Sequence, residues 1–300
     1  MKHAFEISGL NLSVVLGLMF LLWLLSLLRK DASIVDPFWG AGFVVIAWVT
    51  SMFVESHSER SWLLVALTTI WGLRLTGFLL WRNLGKPEDY GYAEMRQKHG
   101  SRFPIVSLMT VFMLQGLLMW LVSWPVQFGQ MSVAASFGLL DAAGVVLWAT
   151  GMLFETVGDY QLSRFKSDPS NRGQVLDTGL WRYTRHPNYF GDFCVWWGLY
   201  LIAASAGVWW TVVGPLLMSY LLLRFSGVSL LETLLNLRHE QETLHRILER
   251  GIVRKCLDRL YDLLFGRHGP RIPCLRMQFN GTLSHVSDGP HGPATIRCSI

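Results

Sequence analysis

Charge is scarce in this chain. Only 16% of its 300 residues are Asp, Glu, Lys or Arg, against about a quarter in an ordinary soluble domain, and that shortage excludes a water-solvated globular protein. Cysteine is scarce as well. Cys194, Cys256, Cys274 and Cys298 are the only four, and they show no paired ligand spacing, which excludes a disulfide framework and a zinc site. The P-loop, G-x-G-x-x-G and H-E-x-x-H patterns are missing, and so is any internal repeat. No metal is expected. The formal charge of +5 sits mainly in a few connecting segments, where attraction to anionic headgroups accounts for it without a nucleic-acid partner.

What is abundant is apolar length, with 51% of the residues hydrophobic. A spanning helix needs roughly 20 such residues, because the bilayer core is ~30 Å thick and each residue rises ~1.5 Å. Leu10 to Leu28, Val35 to Val54, Trp62 to Trp81, Ile105 to Val126 and Leu139 to Leu162 each meet that requirement. The run from Phe190 to Leu231 is too long for one crossing and breaks naturally at Ser205-Ala206-Gly207, so it reads as two helices in a tight hairpin. The expected fold is all-α, a polytopic membrane helix bundle of about seven transmembrane helices. The first span is too long, and too poor in small residues at its end, for a cleaved signal peptide, and reads as a signal anchor.

Basic residues orient the spans, since short cytoplasmic loops collect Lys and Arg. Arg29 and Lys30 follow the first span, Arg82, Lys86, Arg96, Lys98 and Arg102 the third, and Arg164, Lys166, Arg172, Arg182 and Arg185 the fifth. The alternate loops contain only Arg60. This pattern places the N-terminus outside and the C-terminus in the cytosol.

A charge inside a span costs ~2.5–3.5 kcal/mol at the bilayer centre on insertion scales, so each one asks for a partner or a task. Arg74 lies about two turns before the boundary at Arg82 and is expected to face the bundle interior. Glu155 and Asp159, four apart, share one helix face. They predict a polar pocket lined from this helix, with a structural ion pair to a neighbouring helix as the alternative. Pro187 can open the sixth helix, because the first turn needs no proline N–H. Asn188, Tyr189 and Asp192 then occupy a cytosolic helix start that favours an anion such as phosphate. Arg182 and Arg185 also fit headgroup anchors, and Tyr183, Tyr189, Trp196 and Trp197 fit an interfacial aromatic belt.

The string LDTGLWRYTRHPNYFGD with the upstream FETVGDYQLSRFKSDPSNRG resembles the DUF1295 family of steroid 5-alpha-reductase-like membrane proteins. The likeness runs from VDPFWG through WGLR and GKPEDYGY to about Glu232. The wider group includes sterol reductases and, more distantly, isoprenylcysteine carboxyl methyltransferases. The resemblance implies a helix bundle holding NADPH in a cytosol-facing cavity, with a lipid substrate entering from the bilayer. Asp159, Lys166, Tyr183, Asn188 and Tyr189 match positions where the reductases contact NADPH, and Asp192 matches an acidic position beside them. Arg164, Arg185 and His186 complete the expected cofactor-binding set.

Arg74 looks like the arginine of a Y-x-x-R element, with Trp71 where the steroid enzymes have a carbonyl-polarising tyrosine. The implied reaction is reduction of a carbon–carbon double bond of a steroid-like, isoprenoid or fatty lipid. Asp36, Arg74 and Glu155 are the expected catalytic residues, with Asp36, Glu155 and Asp159 the possible acids. The alternatives are an S-adenosylmethionine-dependent methyltransferase of the isoprenylcysteine type and a non-catalytic membrane protein. The expected location is a bacterial inner membrane, and the oligomeric state is open.

Residues 1–231 are thus expected to form the transmembrane domain. After Glu232 the chain departs from the family's usual ending. Leu244, Ile247, Leu248, Ile252, Cys256, Leu260 and Leu264 recur at helical spacing with basic residues between them. That pattern predicts an amphipathic helix on the inner membrane surface across 232–266. Residues 267–300 lack periodicity and are expected to be disordered. A frameshifted or replaced C-terminus is the expected origin of the break.

Overall fold

The computed structural model describes residues 2–132 and 137–224. The expectations for the amphipathic helix, the tail and the C-terminal replacement lie outside the described residues. Within them every regular element is helical: α1 (Lys2–Arg29), α2 (Phe38–Phe53), α3 (Glu59–Asn83), α4 (Tyr90–His99), α5 (Phe103–Ser107), α6 (Leu114–Val122), α7 (Trp124–Gln130), α8 (Leu139–Ser167), α9 (Pro187–Ser205) and α10 (Val213–Arg224). Five stretches are long and apolar enough to cross a membrane: Lys2–Arg29, Ala32–Phe53, Glu59–Asn83, Tyr90–Val122 and Leu139–Ser167. A shorter apolar helical stretch covers Trp209–Leu223.

Several boundaries follow from single residues. Pro37 separates a short 3-10 turn, Ala32–Val35, from α2. Pro187 occupies the first turn of α9, as its missing N–H permits. α9 stops at Ser205, and Gly207 takes a left-handed φ of 85° that turns the chain back. The expected hairpin break is therefore where the chain reverses. Between α5 and α6, Leu108–Met113 widens into a π-helix, which the apolar pattern of the fourth span did not signal.

Arg60 corrects the sequence reading of it as a loop charge. It lies inside α3, is 3% exposed, and forks onto Asp141 of α8 through Nε to Oδ1 at 2.8 Å and Nη2 to Oδ2 at 3.0 Å. The Ser205 hydroxyl donates to Asp141 Oδ1 at 2.6 Å, and the Gly138 N–H donates to Oδ2 at 2.9 Å. A carboxylate this well supplied with donors can remain charged in an apolar bundle.

The tightest packing is between α8 and α9, where glycines recur every seven residues at Gly144, Gly151 and Gly158 opposite Gly191 and Gly198. A Cβ at Gly191 would lie 2.5 Å from the Glu155 backbone nitrogen, and one at Gly198 would lie 2.6 Å from the Gly144 carbonyl oxygen. Small residues let membrane helices approach to backbone contact. Here they bring the acids of α8 against the first turns of α9. The centre of the bundle is aromatic: Phe43 and Trp196 lie 4.5 Å apart between centroids, and Trp71 meets Trp196 edge-on at 5.3 Å.

A separate buried polar layer ties α1, α2 and α7 together. Asn11 Nδ2 donates to Thr50 Oγ1 at 2.8 Å and to Gln127 Oε1 at 3.1 Å.

Candidate functional site

Arg74 is the centre of a third polar cluster. It projects from α3 between α8 and α9. Its Nη1 donates to Glu155 Oε1 at 2.6 Å, and its Nη2 donates to the Glu155 carbonyl at 2.9 Å and to Asp159 Oδ2 at 2.5 Å. The planar guanidinium thus serves two residues one helical turn apart, a geometry that a lysine ammonium cannot reproduce. Arg74 also sits over the Phe78 ring, 5.4 Å from its centroid. The expectation that Arg74 faces inward is met, and for Glu155 and Asp159 these contacts match the alternative of an ion pair with a neighbouring helix.

Glu155 is 3% exposed and accepts a further bond at Oε2 from Trp71 Nε1, 2.9 Å away. Trp71 therefore stands within the polar cluster as a donor to the carboxylate. Asp159, 5% exposed, receives Asn188 Nδ2 at Oδ1 over 3.2 Å. Asp192 lies one turn beyond Asn188 on α9 and is in electrostatic reach of Glu155, Asp159 and Arg74. Three carboxyls thus surround one guanidinium in a largely dehydrated setting. Two buried acceptor atoms here have no partner, Asn188 Oδ1 and Asp192 Oδ1.

The loop from Asp168 to His186 forms the outer wall. Trp181 Nε1 donates to the Gly158 carbonyl at 3.1 Å, and the Leu180 N–H donates to Gln161 Oε1 at 3.0 Å. Both bonds pin the loop to the end of α8. Asp177, Thr178, Gly179, Trp181 and Arg182 line an open depression of about 530 Å³. Arg164, Lys166, Tyr183 and Arg185 are exposed, and His186 stacks on Tyr189 with centroids 5.3 Å apart.

Asp36 belongs to a different cluster. Its Oδ1 accepts from the Tyr92 hydroxyl at 2.9 Å, and no hydrogen bond joins it to Arg74, Glu155 or Asp159. Nearby, Trp39 Nε1 donates to Gln115 Oε1 at 2.8 Å. The GKPEDYGY segment docks on the turn after α1 through Glu88, whose Oε1 accepts the Ala32 N–H and Arg96 Nη2, both at 2.7 Å. Burial tends to raise the Glu88 carboxyl, but the bonds from Arg96 and Ala32 outweigh it and hold it below the usual carboxylate range.

Arg74, Glu155, Asp159, Asn188 and Asp192 are therefore brought together, Arg164, Lys166, Arg182, Tyr183 and Arg185 are exposed at the end of α8 and in the segment before α9, and Asp36 stands apart. The reading of Trp196 as part of an interfacial aromatic belt is corrected, since it is fully buried one turn beyond Asp192, and sequence reasoning missed the engagement of Trp71 with Glu155. The four-residue spacing from Asn188 to Asp192 to Trp196 was the available signal.

Among known proteins, the chain is 26% identical over 226 residues to the uncharacterized protein C594.04c of Schizosaccharomyces pombe, covering 67% of this chain and 65% of that relative, so about a third of the relative lies beyond the match. A shorter stretch of 55 residues is 36% identical to the probable O-methyltransferase ustE of Ustilaginoidea virens, covering 18% of this chain and 19% of the relative. No solved structure matches. Residues 22–250 match the family described as "Protein of unknown function (DUF1295)", and with most of its length accounted for in this way the chain belongs to that family.

Proposed function

We propose that the protein is a membrane oxidoreductase that reduces a carbon–carbon double bond of a lipid with NADPH. The observation that carries this reading is the Arg74–Glu155–Asp159–Asn188 network beside Asp192, set where α9 begins. The seven-span topology with the N-terminus outside is part of the same reading, since it puts this cluster at the cytosolic face.

The residues present fit the cofactor. Asn188 Oδ1 is a buried acceptor without a partner, suited to a ribose hydroxyl or an amide N–H group. Arg164, Lys166, Arg182 and Arg185 are exposed, suited to phosphates. Bound NADPH supplies a hydride. The chain's contribution is to orient reactants, exclude water and place charge, which the engaged Glu155 and Asp159 achieve by fixing Arg74. Exposed apolar side chains such as Leu28, Met52, Leu73 and Leu153 give a lipid substrate a bilayer-facing surface.

A second reading is methyl transfer from S-adenosylmethionine. The short similarity to ustE favours it, as does the excess of carboxyls over guanidinium at Arg74, which suits a sulfonium cation. Thermal unfolding of the purified protein with NADPH, NADH, FAD or S-adenosylmethionine tests both. A ligand at 100-fold over its Kd adds about 2.7 kcal/mol to the folded state. Stabilisation by NADPH supports the reductase, and stabilisation by S-adenosylmethionine alone replaces it with the methyltransferase. A response to neither favours a non-catalytic membrane protein.

A further inference from the structure

The three carboxyls at Arg74 are not equivalent. Glu155 accepts from Arg74 on Oε1 and from Trp71 on Oε2, and Asp159 accepts from Asn188 on Oδ1 and from Arg74 on Oδ2. Both therefore have donors on both oxygens. Asp192 has a buried Oδ1 that accepts nothing. Trp196, fully buried one turn further along α9, lies within interaction range of the Asp192 carboxyl, and its Nε1–H has no hydrogen-bond partner. An unpartnered acceptor and an unpartnered donor side by side in a dry interior are costly, and such groups ask for an explanation, a missing ligand among them.

We propose that Asp192 is the general acid of this site, with Trp196 positioning its carboxyl. The inference rests on the reductase reading. It moves the proton from Asp36, Glu155 and Asp159, the acids the sequence suggested, to the one clustered carboxyl with an oxygen not already held by a donor. Hydride with its electron pair adds to one carbon of the lipid C=C bond. The Asp192 O–H bond breaks, its proton forms the C–H bond at the adjoining carbon, and the O–H electron pair remains on the carboxylate. The lipid gains two electrons and the nicotinamide loses two. Water at the cytosolic mouth then returns the proton to Asp192. The charged groups facing Asp192 are Arg74 from α3 and Glu155 and Asp159 from α8. Fixed by their donors, the two acids on α8 serve to place Arg74.

The test compares wild type, Asp192→Asn, Asp192→Glu and Glu155→Gln in detergent. NADPH binding is followed by calorimetry in buffers of different ionisation enthalpy, which counts protons taken up. NADPH oxidation is followed across pH with farnesal and 4-cholesten-3-one as enal and enone probes. Expected is proton uptake on NADPH binding in wild type and Glu155→Gln that is absent in Asp192→Asn. With it should come a fall in kcat of ~10²-fold or more for Asp192→Asn, and loss of the alkaline decline of kcat in that variant. Asp192→Glu, which keeps an exchangeable carboxyl, should recover part of the rate and the alkaline decline, and it also serves if the Asn variant does not fold. NADPH binding with no proton uptake in wild type overturns the proposal, as does an alkaline decline that Glu155→Gln removes and Asp192→Asn retains. If wild type binds no NADPH, the reductase reading itself fails, and the role of Asp192 falls with it.

Discussion

Arg74 shows how much can depend on one side chain. Its removal by Arg74→Ala leaves Glu155 and Asp159 as buried carboxylates facing each other, and breaking a buried pair in this way costs about 3 kcal/mol or more. Arg74→Lys keeps the charge but cannot reach the two carboxylates and the Glu155 carbonyl at once, so it should fall between wild type and Ala. Unfolding temperatures in detergent and NADPH affinities should follow the order Arg, Lys, Ala. Glu88 gives a second prediction, in pH. Its folded value lies below the unfolded one, so its contribution is fully present above the ordinary carboxylate range and is lost as pH falls through the folded value. Protease cutting of the 84–99 segment should rise as the medium is acidified below that range, and Glu88→Gln should cut at one elevated rate throughout. The inward face of Arg74 and the shared face of Glu155 and Asp159 were legible in the sequence because helical periodicity and the cost of a charge in lipid are local arguments. The Arg60–Asp141 pair was not, because 81 residues separate the partners and no spacing rule spans that distance.

At the scale of elements, the α8–α9 contact decides the site geometry. Gly191→Ala would place a Cβ 2.5 Å from the Glu155 nitrogen, where relief requires the two helices to part. Overpacking of this kind costs roughly 1–3 kcal/mol, and the loss should appear in both the unfolding temperature and NADPH binding. Gly77→Ala is the matched control, because a Cβ there meets nothing within 4 Å. It should be neutral, or stabilising by up to ~1 kcal/mol, since glycine is a poor helix former. Pro187 and the Ser205-Ala206-Gly207 break marked both ends of α9 in the sequence, because proline and glycine act through their own backbone. The π-helix at Leu108–Met113 carries no such marker. Its apolar residues fit an α-helical span equally well.

For the whole molecule, the inside-positive pattern yields a test that needs no ligand. In a chain with its four cysteines replaced by serine, single cysteines at Lys98 and Ser56 should react with a membrane-impermeant thiol reagent from opposite sides. Lys98 should be labelled only from the cytosolic side and Ser56 only from outside. Labelling of both from one side would remove the topology on which the cytosolic mouth of the site depends.

Arg60 and Arg74 are 14 residues apart on α3, and their partners Asp141 and Glu155 are also 14 apart on α8. At ~1.5 Å per residue, two cross-braces of equal pitch stand about 21 Å apart. Sliding α3 along α8 by a single turn would break both at once, so this half of the bundle resists shear as a braced frame does.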